Sequence, residues 1–574
     1  MVKLTIDGLA VEVPEGTSIL DAAASVGIKI PTLCYFKDLN EVGGCRVCLV
    51  EIEGADQLVA ACNNTVLEGM SVRTNSPKVR EARRVNVQLL LSQHDSSCTS
   101  CVRSGNCSLQ TIANDLGIYE QPYHKHVEQD DWDVTYPLIR DNSKCIKCLR
   151  CVQVCEKLQG LGVWDLTSRA THASVGVRGR KPIRAVDCVA CGQCITHCPT
   201  GALRERDDTR HVLRAIADPH KVVMFQLAPA VRTSWGEEFG LSPEEATIGR
   251  LAEILHVMGA DYVFDTDFSA DLTIMEEGSE LLERIAAADK GGDGAPKLPL
   301  MTSCCPGWVR FVKERYPQFL PQVSTSKSPQ QMFGAVAKTH YADVLGVDPE
   351  DVFCVSVMPC VAKKAEAALP TMVGDSGNPD VDVALTVREL VRMIRASHMD
   401  PRNFDERPLD APLGFGGTGA GAIFGTTGGV MEAALRSAYY LVCGKNPEPD
   451  AFKEVRGNEG WREATFDLNG RELRVAVAHG LANAGPLLEA LDKGLTYYDF
   501  VEVMACPGGC VGGGGQPIHD GCEYADRRAK VLRGIDAGSQ IRFSHENPDV
   551  QACYRDFLGA PLSEKAEHLL HTHH

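Results

Sequence analysis

Residues 145–155 read CIKCLRCVQVC, and residues 188–199 read CVACGQCITHCP. Each stretch is a C-x2-C-x2-C-x3-C run, through Cys145, Cys148, Cys151 and Cys155 in the first and Cys188, Cys191, Cys194 and Cys198 in the second, which Pro199 closes. Thiolates are soft ligands that suit zinc or iron–sulfur clusters. Two such runs in tandem have the spacing that holds a pair of [4Fe-4S] clusters, the fourth cysteine of each run serving the other cluster. The spacing assigns Cys145, Cys148, Cys151 and Cys198 to one cluster, and Cys155, Cys188, Cys191 and Cys194 to its neighbour. Zinc is the alternative at each group.

Toward the N-terminus, Val2, Leu4 and Ile6 alternate with polar positions, and Val11 and Val13 do the same after Asp7-Gly8. That is a hairpin pattern. Thr17 or Ser18 is placed to cap a helix running through Ala24. Cys34, Cys45, Cys48 and Cys62 follow as C-x10-C-x2-C-x13-C. Gly43 and Gly44 allow the backbone to close around a metal there. An apolar helix near Val85–Leu91 precedes His94, Cys98, Cys101 and Cys107, an H-x3-C-x2-C-x5-C group. Imidazole in place of thiolate raises a cluster's potential. Fifteen of the 24 cysteines lie before residue 200. No basic start leads into an apolar core, so no secretory signal is expected, and a cytoplasmic chain with cysteine-bound metal is. No run of about 18 apolar residues predicts a membrane span. A formal charge of -18 without a basic stripe argues against nucleic acid. The length of 574 residues allows about three to five domains.

Toward the C-terminus the cysteine density falls and α/β patterning begins. Residues 221–230 predict a buried strand ending in a turn, 248–258 a helix, and 261–264, 352–357 and 500–504 further strands. Strands alternating with helices predict parallel sheets, and loops after parallel strands are where such folds place their sites. Cysteines recur in TSCCPGW (302–308), VMPC (357–360) and VMACPGGC (503–510). The last two motifs follow predicted strands. Gly414, Gly416 and Gly419 spell GxGxxG, but Asp410-Ala411-Pro412 precedes them rather than a strand, so a flexible loop is expected instead of a dinucleotide site. Cys354, Cys443, Cys522 and Cys553 are expected to be buried small hydrophobes. His571, His573 and His574 are expected to form a solvated tail.

The three motifs, with Lys363-Lys364 after the second and GGGGQP after the third, resemble the signatures of [FeFe]-hydrogenases. The N-terminal cysteine groups are similar to those of the same family and of the large iron–sulfur subunit of respiratory complex I. The resemblance implies an H-cluster: a [4Fe-4S] cube bridged by one thiolate to a two-iron centre carrying CO, CN⁻ and a dithiolate. It places cube ligands at Cys305, Cys360, Cys506 and Cys510, with Cys510 bridging. It makes Cys304 a proton-relaying thiol, which an ordinary pKa of about 8.5 would suit. Lys363 matches a residue bonded to a cyanide. Met358, Met504, Pro229, Ala230, Gln330 and Phe424 match contacts of the cofactor, with alanine at 230 where many relatives carry serine. Glu277, Glu280, Arg284 and Ser324 match the family's proton path. At i, i+3 and i+7, Glu277, Glu280 and Arg284 share one helix face, which without the resemblance reads as an ordinary solvated surface.

The implied fold is α+β and multidomain. A β-grasp [2Fe-2S] domain (1–78) leads to a [4Fe-4S] domain with one histidine and three cysteine ligands (79–125) and a two-[4Fe-4S] ferredoxin domain (126–208). An α/β H-cluster domain (209–574) follows. The implied activity is 2H⁺ + 2e⁻ ⇌ H2. That couple lies at roughly −0.41 V at neutral pH, shifting about 59 mV per pH unit, close to ferredoxin clusters at about −400 mV. Rival readings are an iron–sulfur assembly protein or sensory homologue of the same fold, and a complex I or formate dehydrogenase subunit. Maturation proteins must supply the two-iron centre. With no flavin or nucleotide motif of its own, the chain is expected to exchange electrons with a soluble ferredoxin or with flavin- and NAD-binding subunits of a bifurcating complex.

Overall fold

Alternation along the first strand builds the N-terminal unit. The computed structural model describes residues 1–125, 131–168, 172–291, 296–374 and 377–573. Val2, Leu4 and Ile6 point into a core while their neighbours are exposed, and Val2–Ile6 pairs antiparallel with Leu9–Val13 through a turn at Asp7 and Gly8. This hairpin edges a five-stranded sheet in the order Leu9–Val13, Val2–Ile6, Ser71–Arg73, Leu49–Ile52, Val59–Ala60, with Val2–Ile6 parallel to Ser71–Arg73. Ser18 caps the helix Ile19–Ser25, its hydroxyl accepting from the Asp21 N–H. The next helix, Pro77–Leu91, starts with its Ser76 cap before residue 78, so the chain crosses the expected 78/79 boundary inside a helix. The expected start of the following unit, at 126, lies outside the described residues.

The cysteine runs at 145–155 and 188–198 sit between two short antiparallel pairs, Leu138–Arg140 with Leu203–Glu205 and Trp164–Leu166 with Val175–Val177. Beyond them come two sheets. One is parallel throughout, in the order Tyr262–Asp265, Val222–Leu227, Val352–Met358, Val383–Thr386. The other runs Leu300–Met301, Phe500–Met504, Arg471–His479 in parallel, with Trp461–Leu468 as an antiparallel edge. The predicted strands and the helix Ile248–Met258 are present. The strand Leu300–Met301 is too short for the sequence pattern to reveal, yet it means that TSCCPGW also follows a strand.

The ferredoxin-like region and the second sheet share one core. Val154, Trp164, Val189 and Ile195 pack in the same cluster as Trp308, Val312, Val361 and Val503. Trp308 is fully buried and donates from its indole to the Thr302 carbonyl at 3.0 Å. Such an aromatic contributes several kcal/mol; truncating it to alanine costs about 3–5 kcal/mol. The two lobes are therefore joined by packing rather than by a flexible linker.

The chain's last stretch is not a solvated tail. Residues 570–572 lie along residues 325–327: Lys327 N donates to Leu570 O and Thr572 N to Thr325 O, each at 2.7 Å. The His571 ring lies between Thr325 Oγ1 (2.8 Å) and Glu276 Oε2 (3.1 Å), and its side chain is 8% exposed. Two hydrogen-bonding partners and strand-like pairing outweigh its nominal polarity. His573 is exposed as expected, and His574 lies outside the described residues. Among the described residues no helix is long and apolar enough to cross a membrane.

Candidate metal centre and proton path

The C-terminal ends of the two sheets face one another across a pocket. The strand Val352–Met358 delivers Met358 and Cys360, Phe500–Met504 delivers Met504, Cys506 and Cys510, Leu300–Met301 delivers Cys304 and Cys305, and Val222–Leu227 delivers Pro229 and Ala230. Lys363, Gln330 and Phe424 complete the lining, so every cysteine and cofactor-contact residue expected at this centre reaches one cavity. Cys305 is held by the Ala505 N–H, which donates to its sulfur at 3.4 Å, and it starts the helix Pro306–Arg315. Ala230 is fully buried at the wall, its carbonyl accepting from Thr233 Oγ1 at 2.8 Å.

The adjacent lysines divide the labour. Lys363 Nζ donates to Glu366 Oε2 at 2.8 Å and to the Cys304 carbonyl at 3.2 Å, which fixes an ammonium at the pocket wall. Lys364 points away, buried between Asp208 (2.7 Å) and Glu389 (2.9 Å), and anchors the segment leaving the ferredoxin-like region. Glu366 was not singled out by the sequence, although its i, i+3 spacing from Lys363 is a helix-neighbour signal.

Burial pushes Cys510 upward and brings Cys360 up to about 11, with Cys360 and Cys305 adding to the repulsion at Cys510, so holding these sulfurs together as thiolates calls for a cation among them. Burial raises Cys304 well above an ordinary thiol, with Glu277 next among the causes. Desolvation thus favours the neutral S–H at Cys304 over the thiolate.

The proton-path residues are not a solvated surface. Glu277 is fully buried on the helix Thr266–Lys290; its Oε1 accepts from the Ser303 N–H at 3.2 Å, and its Oε2 has no hydrogen-bond partner among the described residues. Burial, then Glu280, pushes its carboxyl up to about 8. Ser324 Oγ donates to Glu280 Oε2 at 2.6 Å, and Arg284 Nη2 donates to Glu280 Oε1 at 2.6 Å. Arg284, half-buried, also donates to the Pro321 carbonyl at 2.9 Å. Ser324, Glu280 and Arg284 are thus joined by hydrogen bonds, with Arg284 the most exposed of the three.

Some of the remaining cysteines lie close together. Cys145, Cys148, Cys151 and Cys198 line one cavity. The partner group is close at hand: Cys191 and Cys194 are raised well up by burial, with Cys155 and Cys188 adding to both. Near Cys148, Asn40 Nδ2 donates both to the Cys34 carbonyl (2.7 Å) and to the Cys148 carbonyl (3.0 Å). Cys34 and Cys45 are hydrogen-bonded, as are Cys48 and Cys62, and Cys34 also acts electrostatically on Cys48 and Cys62, so these four form one group. His94 Nδ1 lies 3.1 Å from the Lys144 carbonyl, so Nε2 is the ring nitrogen free of that contact. Cys107 Sγ lies 3.8 Å from the Pro199 carbonyl, and Arg103 Nη1 donates to the Cys198 carbonyl at 2.9 Å.

Three expectations fail locally. The glycines at 414–419 are not a flexible loop: a Cβ on Gly417 would sit 2.0 Å from Asp267 Cβ, so the backbones are in close contact and glycine is required. Thr418 then caps the helix Gly419–Ile423, which leads to the pocket residue Phe424. Cys354 and Cys553 are buried as expected, but Cys443 is half-exposed and Cys522 is exposed, because neither sits on a core-facing turn. The C-terminal stretch, read only as part of the last domain, reaches the buried Glu276 through Tyr554, Leu562 and His571.

Comparison with known proteins matches this arrangement. Residues 221–514 match the family described as iron only hydrogenase large subunit, C-terminal domain, and residues 522–574 match iron hydrogenase small subunit. Residues 1–77 match a 2Fe-2S iron–sulfur cluster binding domain, residues 83–122 the iron–sulfur binding region of NADH-ubiquinone oxidoreductase G, and residues 144–202 a 4Fe-4S dicluster domain. The chain is 47% identical to the NADP-reducing hydrogenase subunit HndD of Solidesulfovibrio fructosivorans and 36% identical to iron hydrogenase 1 of Clostridium pasteurianum, in both cases over 100% of this chain and 99% of the relative. A solved [FeFe]-hydrogenase from Chlamydomonas reinhardtii superposes with a TM-score of 0.57 at 40% identity, covering 64% of this chain and 98% of that one. Ferredoxin-like iron–sulfur domains followed by a hydrogenase domain therefore make up the chain, which belongs to the [FeFe]-hydrogenases.

Proposed function

We propose that Cys305, Cys360, Cys506 and Cys510 hold the cube of an H-cluster, with Cys510 as the bridging thiolate, and that Cys304, Glu277, Ser324, Glu280 and Arg284 carry protons to it. The H-cluster, when bound, supplies the centre at which two protons and two electrons become H2 or the reverse. The single observation that carries this reading is the pocket itself. Five cysteines from three strand ends line it, and the one outside the ligand set abuts a buried, proton-bearing carboxyl. Lys363 presents an ammonium to anionic ligands there, a charge-assisted contact. Met358, Met504, Pro229, Ala230, Gln330 and Phe424 wall the centre and exclude water. Once the Cys304 thiol has given its proton to the centre, Glu277, which holds a proton near neutral pH, can replace it, and Ser324, bonded to Glu280, stands next in the series.

One [2Fe-2S] group at Cys34, Cys45, Cys48 and Cys62, and three [4Fe-4S] groups, relay electrons. The three are held by His94 with Cys98, Cys101 and Cys107, by Cys145, Cys148, Cys151 and Cys198, and by Cys155, Cys188, Cys191 and Cys194. The units are those read from the sequence, with the first boundary moved ahead of Ser76. The relative named as a subunit of an NADP-reducing hydrogenase supports a further reading: this chain is the catalytic subunit of a cytoplasmic, pyridine-nucleotide-linked complex. A ferredoxin-served single chain is the second reading. An infrared spectrum of the matured enzyme tests the centre: bands of metal-bound CO and CN⁻ are expected, and their absence after maturation overturns it. Untagged purification separates the two partner readings. Flavin- and nucleotide-binding subunits should co-purify, with pyridine-nucleotide-linked H2 activity. A lone chain active only with reduced ferredoxin would reject the complex.

A further inference from the structure

The two halves of the proton path stand on different elements. Glu277 and Glu280 belong to the helix Thr266–Lys290, whereas Ser324 belongs to an irregular segment between Val323 and Pro329. Hopping between them depends on a separation that neither element fixes alone. On its inner side the irregular segment is tied to the turn carrying Cys304: Ser324 N donates to Met301 O at 2.7 Å, and Ser303 Oγ donates to Ser326 O at 2.6 Å. On its outer side it is tied to residues 570–572 through Leu570, His571 and Thr572, and further along Lys327 pairs with Asp380 and Ser328 with Glu366.

Ser324 and Thr325 bond directly to Glu280, and His571 adds a second tie between the two elements, one helical turn away. One ring nitrogen meets the Thr325 hydroxyl, one residue from Ser324, and the other meets Glu276, one residue from Glu277. Thr325 in turn donates its N–H to Glu280 Oε2 at 3.3 Å, the oxygen that already accepts from Ser324. Glu276 is fully buried and is locked from the same side by the Tyr554 hydroxyl (2.5 Å) and the Leu562 N–H (2.9 Å). A buried carboxylate with three donors from one segment is a fixed anchor, since losing any of them leaves it unsatisfied.

We propose that His571 is a positioning residue for proton delivery: it braces the Ser324 segment against the glutamate helix through Thr325 and Glu276. The C-terminal stretch matched to the small subunit thus sets the geometry of the relay without touching the reacting atoms. The inference rests on the proton path proposed above, and its failure is separable from the failure of that path.

The test uses the matured full chain. In His571→Ala and in Thr325→Val, infrared bands and iron content stay at the wild-type level. H2/D2O exchange and dye-linked turnover both fall, by about tenfold to a hundredfold, as expected for a misplacement of about 1 Å. KM for the dye is unchanged, and the solvent isotope effect rises. His571→Gln, whose amide offers a donor and an acceptor, recovers part of the rate. A lesion in the electron relay would lower dye-linked turnover and spare exchange, and a merely structural role would lower cluster content in proportion to rate. Wild-type exchange in either variant overturns the brace. If His571→Ala does not mature, Thr325→Val decides alone. If Glu277→Gln slows exchange while Thr325→Val does not, the path stands and the brace falls; if Glu277→Gln is also silent, the path itself falls.

Discussion

The carbonyl oxygen of Cys191 lies 4.0 Å from the sulfur of Cys506. The last accessory site and the catalytic pocket are thus in contact through protein atoms. The approach is possible because Gly192, at φ 78°, faces Gly514: a Cβ on Gly192 would meet Val361 Cγ2 at 2.7 Å and Gly514 Cα at 3.0 Å. Gly192→Ala should cost about 1–3 kcal/mol by overpacking and push the lobes apart. Dye-linked turnover should drop while H2/D2O exchange at the catalytic end persists. Stopped-flow reduction measured beside exchange checks this, and equal loss of both would refute the contact as the electron route.

Adjacent cysteines with different neighbours should fail differently. Cys304→Ala should retain the CO and CN⁻ bands and lose nearly all turnover. Cys305→Ala should lose the bands. Infrared spectra and gas exchange on the same preparations distinguish them; loss of the bands in Cys304→Ala would make Cys304 a ligand.

The buried Glu277 carboxyl, pushed up to about 8 by desolvation and then by Glu280, is protonated through most of the neutral range. Its folded pKa lies above the unfolded value of about 4.3. The folded protein therefore binds more protons than the unfolded one between those values, and stability falls as pH rises through that window. Glu277→Gln should remove this fall, so its stability advantage over wild type should grow from about pH 4 to about pH 8 and then level off. Its turnover should fall by about 10²–10⁴-fold, the usual span for a proton-transfer group. An infrared signal of a protonated carboxyl that vanishes near pH 8 in wild type, and is missing in the variant, is the direct check.

His94→Ala should leave the other three accessory groups intact. Burial already holds the imidazole below its ordinary pKa, so it is neutral and ready to ligate through Nε2. Electron paramagnetic resonance should show one cluster signal altered or lost. Exchange at the catalytic end should continue, with slower turnover from external donors. If exchange falls as steeply as turnover, His94 serves some other purpose.

The closeness of Cys145, Cys148, Cys151 and Cys198 was legible in the sequence because cysteine spacing is a local code. The strand-end placement of Cys360, Cys506 and Cys510 was legible because apolar runs precede them. The strand Leu300–Met301 was not, being two residues long. Nor was the burial of Glu276 and Glu277: a helix bearing two acids reads as solvated until the elements covering it are known, and those come from residues 303, 324–326 and 554–571. The glycines at 416 and 417 could be set aside as a nucleotide motif, but their contact with Asp265 and Asp267 is long-range and leaves no mark on local pattern.

Asn40, bonded to the carbonyls of both Cys34 and Cys148, has one more consequence. The cavity lined by Cys145, Cys148, Cys151 and Cys198 is touched at Cys148 by Asn40 and at Cys198 by Arg103, which lies between Cys101 and Cys107. If both N-terminal groups hold clusters, a lesion at that shared cavity should silence two inlets at once while leaving each able to fill.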